Sequence, residues 1–402
     1  MNKKPLSKKN LLNILKKFKN KNKKTEFIKT IDSNNRILSE NIISRINVPP
    51  FNNSAVDGYA IKNKDIDRGK FNIINKIVAG DKKNIKLKKF ESVRIFTGAR
   101  MPINSKTVIM QENTKSKNGY IYNLKKIKAG SNCRLAGEDV KKGKLIFKKR
   151  TLINPGSQSL LASIGLNKIK VYKKLSIGYF TSGNELKNPT TKLIGSQINN
   201  SNRFALNSLI SNLGFKSTDL GVLKDDYDKV KNKILKKINK FDVIITTGGA
   251  SVGTEDHLIN VLRYNGKVIF WKIAIKPGRP LGFGLINQVP IICLPGNPVS
   301  VFLLFKMIIQ PFLLKLAGSD WIQPKSIPAK INFFMQKKTN RLEWLRVNIE
   351  KNMNRELVVK KYPKQGSGII SSISFSDGII EIPENISTLK PGDIFNFYPL
   401  FY

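Results

Sequence analysis

The chain has 402 residues, of which 40% are hydrophobic, and it carries a formal net charge of +45 at pH 7. This length exceeds what one ordinary hydrophobic core holds, so we expect two to four domains. The only cysteines, Cys133 and Cys293, exclude a disulfide framework and a CxxC metal pair. The lysines are spread from end to end, which favours a compositional bias over a dedicated nucleic-acid surface.

Neither a signal peptide nor a membrane span is predicted. The first residues, MNKKPLSKKNLLNILKK, lack an uninterrupted apolar stretch. The most apolar expected helix, residues 298–317, is interrupted at Lys306, Gln310, Pro311 and Lys315, so it is not expected to cross a membrane. We therefore expect a cytoplasmic protein.

The first part of the chain has helical periodicity. Apolar residues recur at helical spacing from Leu11 to Phe18, and a second helix-like segment covers about residues 27–43. Residues 48–60 contain two prolines, two asparagines and a glycine, so they do not form a regular helix. Within them Asp57-Gly58 predicts a turn with a carboxylate at its tip, although an ordinary hairpin corner has the same pattern.

A small β domain is predicted next, from short alternating apolar runs between residues 71 and 124. A helix over about residues 157–164 is expected to end at Gly165. From Leu175 the chain alternates strand, turn and helix, which predicts a mostly parallel, doubly wound sheet. Beyond residue 324, short strands with Pro and Gly turns predict a small β-barrel or sandwich.

Two helices of the sheet domain have recognisable starts. The helix over residues 203–213 is predicted to have Asn202 as its cap. The last helix is predicted to have Asn297 as its cap and Pro298 as its first residue.

Three predicted strand ends within residues 246–300 lead into glycine-rich turns. The turns contain, in order, Gly248, Gly249, Ser251, Glu255 and Asp256; then Lys272, Lys276 and Arg279; then Pro295, Gly296, Asn297 and Pro298. Turns of this kind build a ligand pocket at the carboxyl edge of an α/β sheet. Each one alone is equally consistent with an ordinary βα turn, but the three together indicate a site.

Several common chemistries are excluded. His257 is the only histidine, so multi-histidine metal sites are excluded, and any Ser-His-Asp triad has to use it. The absence of a GxxxxGK[ST] motif excludes a P-loop NTPase. Gly282-Phe283-Gly284 lacks the third glycine of a dinucleotide fingerprint.

The remaining polar groups suit a nucleotide or another phosphorylated substrate. Scarce carboxylates fall in turns or at strand ends, namely Asp57, Glu138, Asp139, Glu185, Asp225, Asp226, Glu255 and Asp256. Converging carboxylates suit Mg²⁺, although acids in turns also serve as caps. Lys272 and Lys276 lie four residues apart on a strand-like run, so both can point to one face and form an anion cradle with Arg279. A solvated basic face is the alternative.

Eight motifs follow one another along the chain: PPFNNSAVDGYA, RIFTGARMP, NCRLAGED, TSGNEL, TTGGASVGTED, WKIAIKPGRP, LPGNPVS and QGSGIISS. In this order they resemble the molybdopterin molybdenumtransferase (MoeA) family, which includes the C-terminal domain of gephyrin. The resemblance covers the chain from about Leu38 to its end. TTGGASVG alone indicates only the wider molybdopterin-binding fold, whereas the ordered set indicates the family.

The resemblance implies a multidomain α/β chain. Its expected parts are an N-terminal helical and linker domain (1–46 and 141–174), an inserted β-rich domain (47–140), a doubly wound molybdopterin-binding α/β domain (175–324) and a C-terminal β-barrel-like domain (325–402). It also implies a homodimer with a composite active site, shared between the α/β domain of one subunit and the β domain of the other. The implied reaction inserts molybdate into adenylylated molybdopterin, with Mg²⁺ and release of AMP, and the molybdopterin adenylyltransferase is an implied partner.

Site residues are also implied by motif match. The implied metal ligands are Glu185, Asp225 and Asp256, and the implied catalytic residues are Asp57, Asp139, Lys272, Lys276 and Asp256. The implied substrate-binding residues are Gly248, Gly249, Ser251, Pro295, Gly296, Pro298, Arg346 and Ser367. In this scheme the two lysines hold molybdate or phosphate oxygens, and Asp57 and Asp139 come from the neighbouring subunit.

The chain departs from the family at Asn52, Asn184 and Asn200, where an aspartate is usual. An amide keeps hydrogen bonding and loses the charge, which puts metal affinity and substrate orientation in question. A scaffold that binds the pterin without turnover is a second hypothesis, and a basic nucleic-acid-binding protein is a third. Molybdate and tungstate are both open as the preferred oxyanion.

Overall fold

A computed structural model describes residues 5–18, 24–249, 257–350 and 356–401. The chain forms two compact units. The first contains Phe27–Asn34 and Glu40–Lys170, and the second contains Met1–Glu26, Asn35–Ser39 and Val171–Tyr402. The finer division into four domains stays a prediction.

The predicted N-terminal helix is confirmed as α1 (Lys8–Lys17). It is amphipathic, and its buried face carries Leu11 and Leu15. Directly after it, the Phe18 ring packs edge-to-face on Phe283, with 5.7 Å between ring centroids. Helix α1 is therefore anchored by apolar contacts within the second unit.

The second predicted helix, over about residues 27–43, is wrong. The segment instead forms a strand (Thr25–Lys29), a 3₁₀ turn (Thr30–Asp32) and a short strand (Ile42–Ile43). Phe27 and Ile31, four residues apart, are 68% and 78% exposed, so they form no buried helical face. The polar run at residues 32–35 also opposes a helix, because Asp, Ser and Asn side chains compete for backbone hydrogen bonds.

A six-stranded sheet forms the centre of the first unit and confirms the predicted small β domain. Its strands are β1 (Gly58–Ile61), β2 (Lys70–Ile77), β3 (Glu91–Ile95), β4 (Thr107–Met110), β5 (Thr114–Lys117) and β6 (Tyr120–Asn123). They lie in the order β4–β1–β3–β2–β6–β5, with β2 and β3 parallel and the other neighbours antiparallel. Buried apolar clusters lie around Val93 and around Ile109.

Short elements complete the first unit. Asn53–Ser54 pairs with Cys133–Arg134, and Ile42–Ile43 pairs with Leu145–Phe147. The predicted helix near residue 160 is confirmed as α2 (Pro155–Ser163), which has Asn154 as its N-cap. A further strand, Lys168–Tyr172, leads out of this unit.

The second unit contains the predicted α/β sheet. Its strands are β7 (Ser176–Ser182), β8 (Lys216–Leu223), β9 (Val243–Thr247), β10 (Lys267–Trp271), β12 (Gly282–Ile286) and β13 (Val289–Leu294), while the two-residue β11 (Ile275–Lys276) pairs elsewhere. The order is β8–β7–β9–β13–β12–β10, in which the first four strands are parallel and β12 and β10 are antiparallel additions. Strand β9 is buried along its whole length, as expected for a central parallel strand covered on both faces.

Helices flank this sheet. They are α3 (Ser201–Asn212), α4 (Tyr227–Lys237), α5 (His257–Asn265), α6 (Pro298–Leu304) and α7 (Gln310–Ala317). Pro298 is the first residue of α6, as predicted, but the Asn297 side chain makes no capping hydrogen bond. The predicted cap of α3 is corrected from Asn202 to Asn200, whose Oδ1 accepts a hydrogen bond from the Arg203 N–H at 3.3 Å.

The longest apolar helix combines α6, a π turn (Phe305–Ile309) and α7. Among the described residues it is the one helix long and apolar enough to cross a membrane, with a mean hydropathy of 1.8. Most of it, 78% of its most apolar window, is buried inside the structure. Its apolar side chains thus belong to the core of the second unit.

The C-terminal strands form a closed barrel. They are β14 (Ile327–Ile331), β15 (Leu342–Glu350), β16 (Val358–Lys361), β17 (Gly378–Ile382) and β18 (Ile394–Pro399), with the four-residue α8 (Ser371–Ser374) before β17 and a short pair, Met335–Gln336 with Thr388–Leu389. The order β15–β16–β14–β18–β17 closes because β17 pairs again with β15. Strand β11 joins β15 in parallel. The predicted multidomain α/β class with a β-barrel-like end is confirmed.

Candidate active site

A cavity of about 870 Å³ lies at the carboxyl ends of β7, β9 and β13, and we name it the strand-end cavity. The predicted site residues that line it are Glu185, Asp225, Gly248, Gly249, Pro295, Gly296 and Pro298. Parallel strands place their carboxyl ends at one edge of a sheet, so turns far apart in sequence meet here.

Gly248 lets two of these turns come into close contact. Its φ is +79°, and a Cβ at this position would lie 2.3 Å from the Ser182 carbonyl oxygen. The Gly248 N–H also donates a hydrogen bond to the Leu294 carbonyl oxygen at 3.2 Å. Only glycine combines this backbone conformation with such an approach, so this wall of the cavity is made of main chain.

Two of the predicted metal ligands, Glu185 and Asp225, line the strand-end cavity. The Asn184 side-chain amide donates a hydrogen bond to Asp225 Oδ2 at 3.5 Å. Asp256, together with Glu255 and Ser251, lies outside the described residues. Within residues 5–18, 24–249, 257–350 and 356–401 there is no cluster of three His, Cys, Asp or Glu side chains that could hold a metal ion.

The donor set that is described fits Mg²⁺. Carboxylate oxygens are hard ligands, and Glu185 and Asp225 border a cavity large enough to retain water. Mg²⁺ is commonly bound by one or two carboxylates and completes its octahedral shell with water and substrate phosphate oxygens.

A second cavity, of about 520 Å³, lies between the sheet and the barrel of the second unit, and we name it the lysine cavity. Its lining includes Lys276, Arg279, Arg346 and Ser367. It adjoins the strand-end cavity, because Pro280, Pro295 and Asn297 line both.

Lys276 is oriented by an acid of the barrel. Its Nζ lies 2.7 Å from Glu343 Oε1, and the side chains are 54% and 9% exposed, respectively. Since Lys276 belongs to β11 and Glu343 to β15, the parallel pairing of these strands brings the two together. The ion pair holds the lysine at the mouth of the lysine cavity with part of its side chain open to solvent.

Lys272 does not share a regular strand with Lys276. It has a φ of +77°, and β11 begins only at Ile275, so the strand-like run predicted to carry both lysines is interrupted between them. A left-handed residue breaks the alternation on which that prediction relied. Lys272 lines neither the strand-end cavity nor the lysine cavity.

Arg346 is 1% exposed, and its guanidinium is bonded to protein groups. Its Nε donates to Ser372 Oγ at 3.1 Å and its NH2 donates to the Gly366 carbonyl oxygen at 3.2 Å. Burial lowers the pKa of Arg346 to about 10, against a smaller opposing effect of Glu343. Arg346 thus fixes the loop that carries Ser367.

The Ser367 loop also reaches the sheet domain. The Ser367 carbonyl oxygen accepts a hydrogen bond from the Val299 N–H at 3.1 Å, in the first turn of α6. This bond satisfies one of the unpaired donors that every helix has at its N-terminus. The barrel loop therefore takes part of the capping role that Asn297 was predicted to have.

Asp57 lies at the predicted turn in the first unit. Its Oδ1 accepts hydrogen bonds from the Thr97 N–H at 2.8 Å and the Thr97 hydroxyl at 2.7 Å. These bonds, with a smaller contribution from Arg94, hold the pKa of Asp57 below its usual value. The carboxylate is charged and oriented at neutral pH.

Asp139 is exposed, and its N–H donates to the Val48 carbonyl oxygen at 3.0 Å. The neighbouring loop is held by Asn52, whose Oδ1 accepts a hydrogen bond from the Ala136 N–H at 2.8 Å. At this departure from the family, an amide oxygen accepts the bond that a carboxylate could accept.

In the second unit, Asn200 likewise makes its hydrogen bonds as an amide where the family usually has an aspartate. It is 2% exposed, its Oδ1 caps α3 and its Nδ2 donates to Thr181 Oγ1 at 2.8 Å. The amide satisfies both partners without burying a charge. Of the three departures, Asn184 alone lies beside a predicted metal ligand.

Two residues of the site were missed by sequence reasoning. Thr97 lies two residues after the end of β3, within the RIFTGARMP motif, and a hydroxyl close to a strand end was the available signal. Glu343 was detectable only as the one acid in LEWLRV, a largely apolar run that also contains Arg346. Neither pattern identifies the distant partner.

Fold and cavities together define an α/β protein with a large cavity at the carboxyl edge of its sheet and an adjoining cavity lined by Lys276, Arg279 and Arg346. Three family models match the chain: MoeA N-terminal region (domain I and II) over residues 6–165, probable molybdopterin binding domain over 178–315, and MoeA C-terminal region (domain IV) over 328–400. The chain belongs to the MoeA family, and it is a transferase of molybdenum cofactor biosynthesis.

Relatives and solved structures agree over the whole length. A molybdopterin molybdenumtransferase from Haemophilus influenzae is 35% identical over 378 residues, which cover 93% of this chain and 94% of the relative. A crystal structure of a molybdopterin biosynthesis MoeA protein from Pyrococcus horikoshii is 31% identical, covers 99% of both chains and has a TM-score of 0.76. A second structure of a MoeA protein from that organism has a TM-score of 0.80 at 27% identity, over 98% of this chain and 100% of the other.

Proposed function

We propose that this protein inserts molybdate into adenylylated molybdopterin, with Mg²⁺-dependent hydrolysis that releases AMP and the molybdenum cofactor. The observation that carries the proposal is the adjacency of two unlike cavities. The strand-end cavity offers Glu185 and Asp225, and the lysine cavity offers Lys276 and Arg279, with shared lining between them. A substrate with a pyrophosphate and a nearby oxyanion matches this arrangement of charges.

Glu185 and Asp225, with Asp256, are proposed to hold Mg²⁺ at the pyrophosphate. When bound, the ion supplies neutralisation of the phosphate oxygens. Gly248, Gly249, Ser251 and the Pro295-Gly296 turn with Pro298 then contact the pterin nucleotide. The main-chain walls at Gly248 and at the Pro295-Gly296 turn orient the substrate so that water attacks one phosphorus, the P–O–P bond breaks and AMP leaves.

Lys276 and Lys272, with Arg279 and Ser367, are proposed to bind molybdate oxygens and to stabilise charge on the phosphate groups as the bond breaks. Arg346 supports this role by holding the Ser367 loop. Molybdate is our preferred oxyanion, and tungstate is the competitor to be measured beside it.

We further propose a homodimer in which Asp57 and Asp139 of one subunit complete the site of the other. The orientation of Asp57 by Thr97 supports a role for a fixed carboxylate. The proposed setting is the cytoplasm, where a molybdopterin adenylyltransferase delivers the substrate.

The test mixes purified protein with adenylylated molybdopterin, Mg²⁺ and molybdate, and follows AMP over many turnovers. Asp225→Asn is expected to lower the Mg²⁺-dependent rate at least about 100-fold. Asp226→Asn is the matched control, because Asp226 caps α4 by accepting from the Lys229 N–H at 2.9 Å. No molybdate-dependent AMP from the unaltered protein contradicts the proposal, and a single stoichiometric burst favours the pterin-binding scaffold instead.

A further inference from the structure

Residues 272–276, which we name the lysine segment, carry both lysines. This segment is paired with Leu6. The Leu6 N–H donates to the Lys272 carbonyl oxygen at 3.2 Å, and the Ala274 N–H donates to the Leu6 carbonyl oxygen at 2.8 Å. These two bonds form a parallel bridge between Leu6 and Ile273. On its other side the segment meets the barrel, where the Leu342 N–H donates to the Ala274 carbonyl oxygen at 3.0 Å.

The Lys272 backbone needs such support. Its φ of +77° lies in the left-handed region, which a residue with a long side chain rarely occupies and which persists only when surrounding contacts determine it. The Lys272 N–H donates to the Leu281 carbonyl oxygen at 3.1 Å, and the carbonyl bond to Leu6 is the second backbone contact. Leu6 thus restrains the peptide immediately after Lys272.

Leu6 is itself held in place by α1, which begins two residues later. Leu11 and Leu15 are buried, and the Lys8 ammonium pairs with Glu381 of the barrel strand β17. The same carboxylate accepts a hydrogen bond from Trp344 Nε1 at 2.8 Å. The N-terminal segment is therefore fixed to the barrel as well as to the lysine segment.

We propose that Leu6 is a positioning residue for the oxyanion site: its main chain holds the lysine segment, so that Lys272 and Lys276 keep fixed positions relative to each other and to molybdate. The inference rests on the proposed function, because it assigns the oxyanion to these lysines. It extends the site to an N-terminal residue that contacts neither of the two cavities.

Leu6→Pro tests this directly, because proline has no N–H to donate to Lys272. Leu6→Ala is the matched control, since it shortens the side chain and keeps both main-chain groups. For Leu6→Pro we expect the molybdate KM to rise about tenfold, while the KM for the pterin nucleotide changes less than twofold. Leu6→Ala is expected to change both by less than twofold.

Two further measurements distinguish a failure of the Leu6 proposal from a failure of the proposed function. Hydrogen exchange at the Ala274 amide is expected to accelerate in Leu6→Pro only, which reports the pairing without any turnover. Calorimetric titration with molybdate alone is expected to show the same loss of affinity, even if the unaltered protein releases no AMP and the proposed function fails. An unchanged molybdate affinity in a Leu6→Pro protein with faster Ala274 exchange would overturn the inference, as would equal changes in both KM values.

Discussion

The strand-end cavity and the lysine cavity adjoin each other, yet different parts of the chain form their walls. The first is built mainly from turns at the ends of neighbouring strands of the sheet and from the start of α3, and among the described residues the barrel contributes only Gly368 and Ile370. The second depends on side chains and loops contributed by the barrel, such as Glu343 beside Lys276. The walls of the strand-end cavity form mostly when the sheet folds, whereas the lysine cavity also requires the barrel to pack correctly against the sheet.

Adding a side chain at Gly248 is expected to have the largest effect on stability. Gly248→Ala places a Cβ against the Ser182 carbonyl oxygen at a left-handed φ, and we expect a loss of about 3 kcal/mol or more in unfolding free energy. Gly221→Ala is the control, since Gly221 has a φ of +90° and open space for a Cβ. Chemical denaturation should give about 1 kcal/mol for the control, and an equal loss in both variants would contradict the importance of the contact.

Arg346→Lys is expected to disrupt the lysine cavity. Lysine keeps the charge but cannot bond Ser372 and Gly366 with one planar group, so we expect about 2 kcal/mol of destabilisation. Weaker molybdate binding should accompany it, because the Ser367 loop loses its support. Binding of the pterin nucleotide should weaken less, because the strand-end cavity meets this loop only at Gly368 and Ile370. Arg263→Lys, on an exposed position of α5, is expected to change neither property. Equal loss of both ligands in Arg346→Lys would mean that the two cavities are not separately built.

Asn184→Asp places an acid beside Asp225, which lines the strand-end cavity. The added charge is expected to tighten Mg²⁺ binding about tenfold, because the amide hydrogen bond to Asp225 is replaced by a second anionic oxygen ligand. Asn52→Asp makes the same substitution in the first unit and should leave Mg²⁺ affinity unchanged. The measurement is Mg²⁺ titration by calorimetry, and unaltered affinity in Asn184→Asp would place the metal away from Asp225.

Sequence reasoning worked where local patterns dominate. The apolar strand before Gly248, the proline at the start of α6 and the spacing of Leu11 and Leu15 each predicted the observed element, because strand burial, helix starts and amphipathic faces depend on nearby residues. Glu185, Asp225 and Gly248 were likewise recognisable as neighbours, since parallel strands share a carboxyl edge.

It failed where tertiary contacts decide the conformation. Residues 27–43 have helical spacing but belong to strands and a turn, and either of two nearby asparagines satisfied the cap pattern of α3. The left-handed Lys272 is set by bonds to Leu281 and Leu6, which lie 9 and 266 residues away in the sequence. No pattern around Lys272 contains those partners.

The lysine segment pairs with Leu6 on one side and with β15 on the other, so the order of translation determines when both pairings can form. Leu6 leaves the ribosome before the lysine segment, whereas Leu342 and Glu343 emerge only after the strands of the sheet. A nascent chain therefore contains the strands of the strand-end cavity before it contains β15, the second pairing partner of the lysine segment. Until β15 has been translated, Lys276 lacks its ion-pair partner, so a chain that stops short of the barrel has an incomplete lysine cavity.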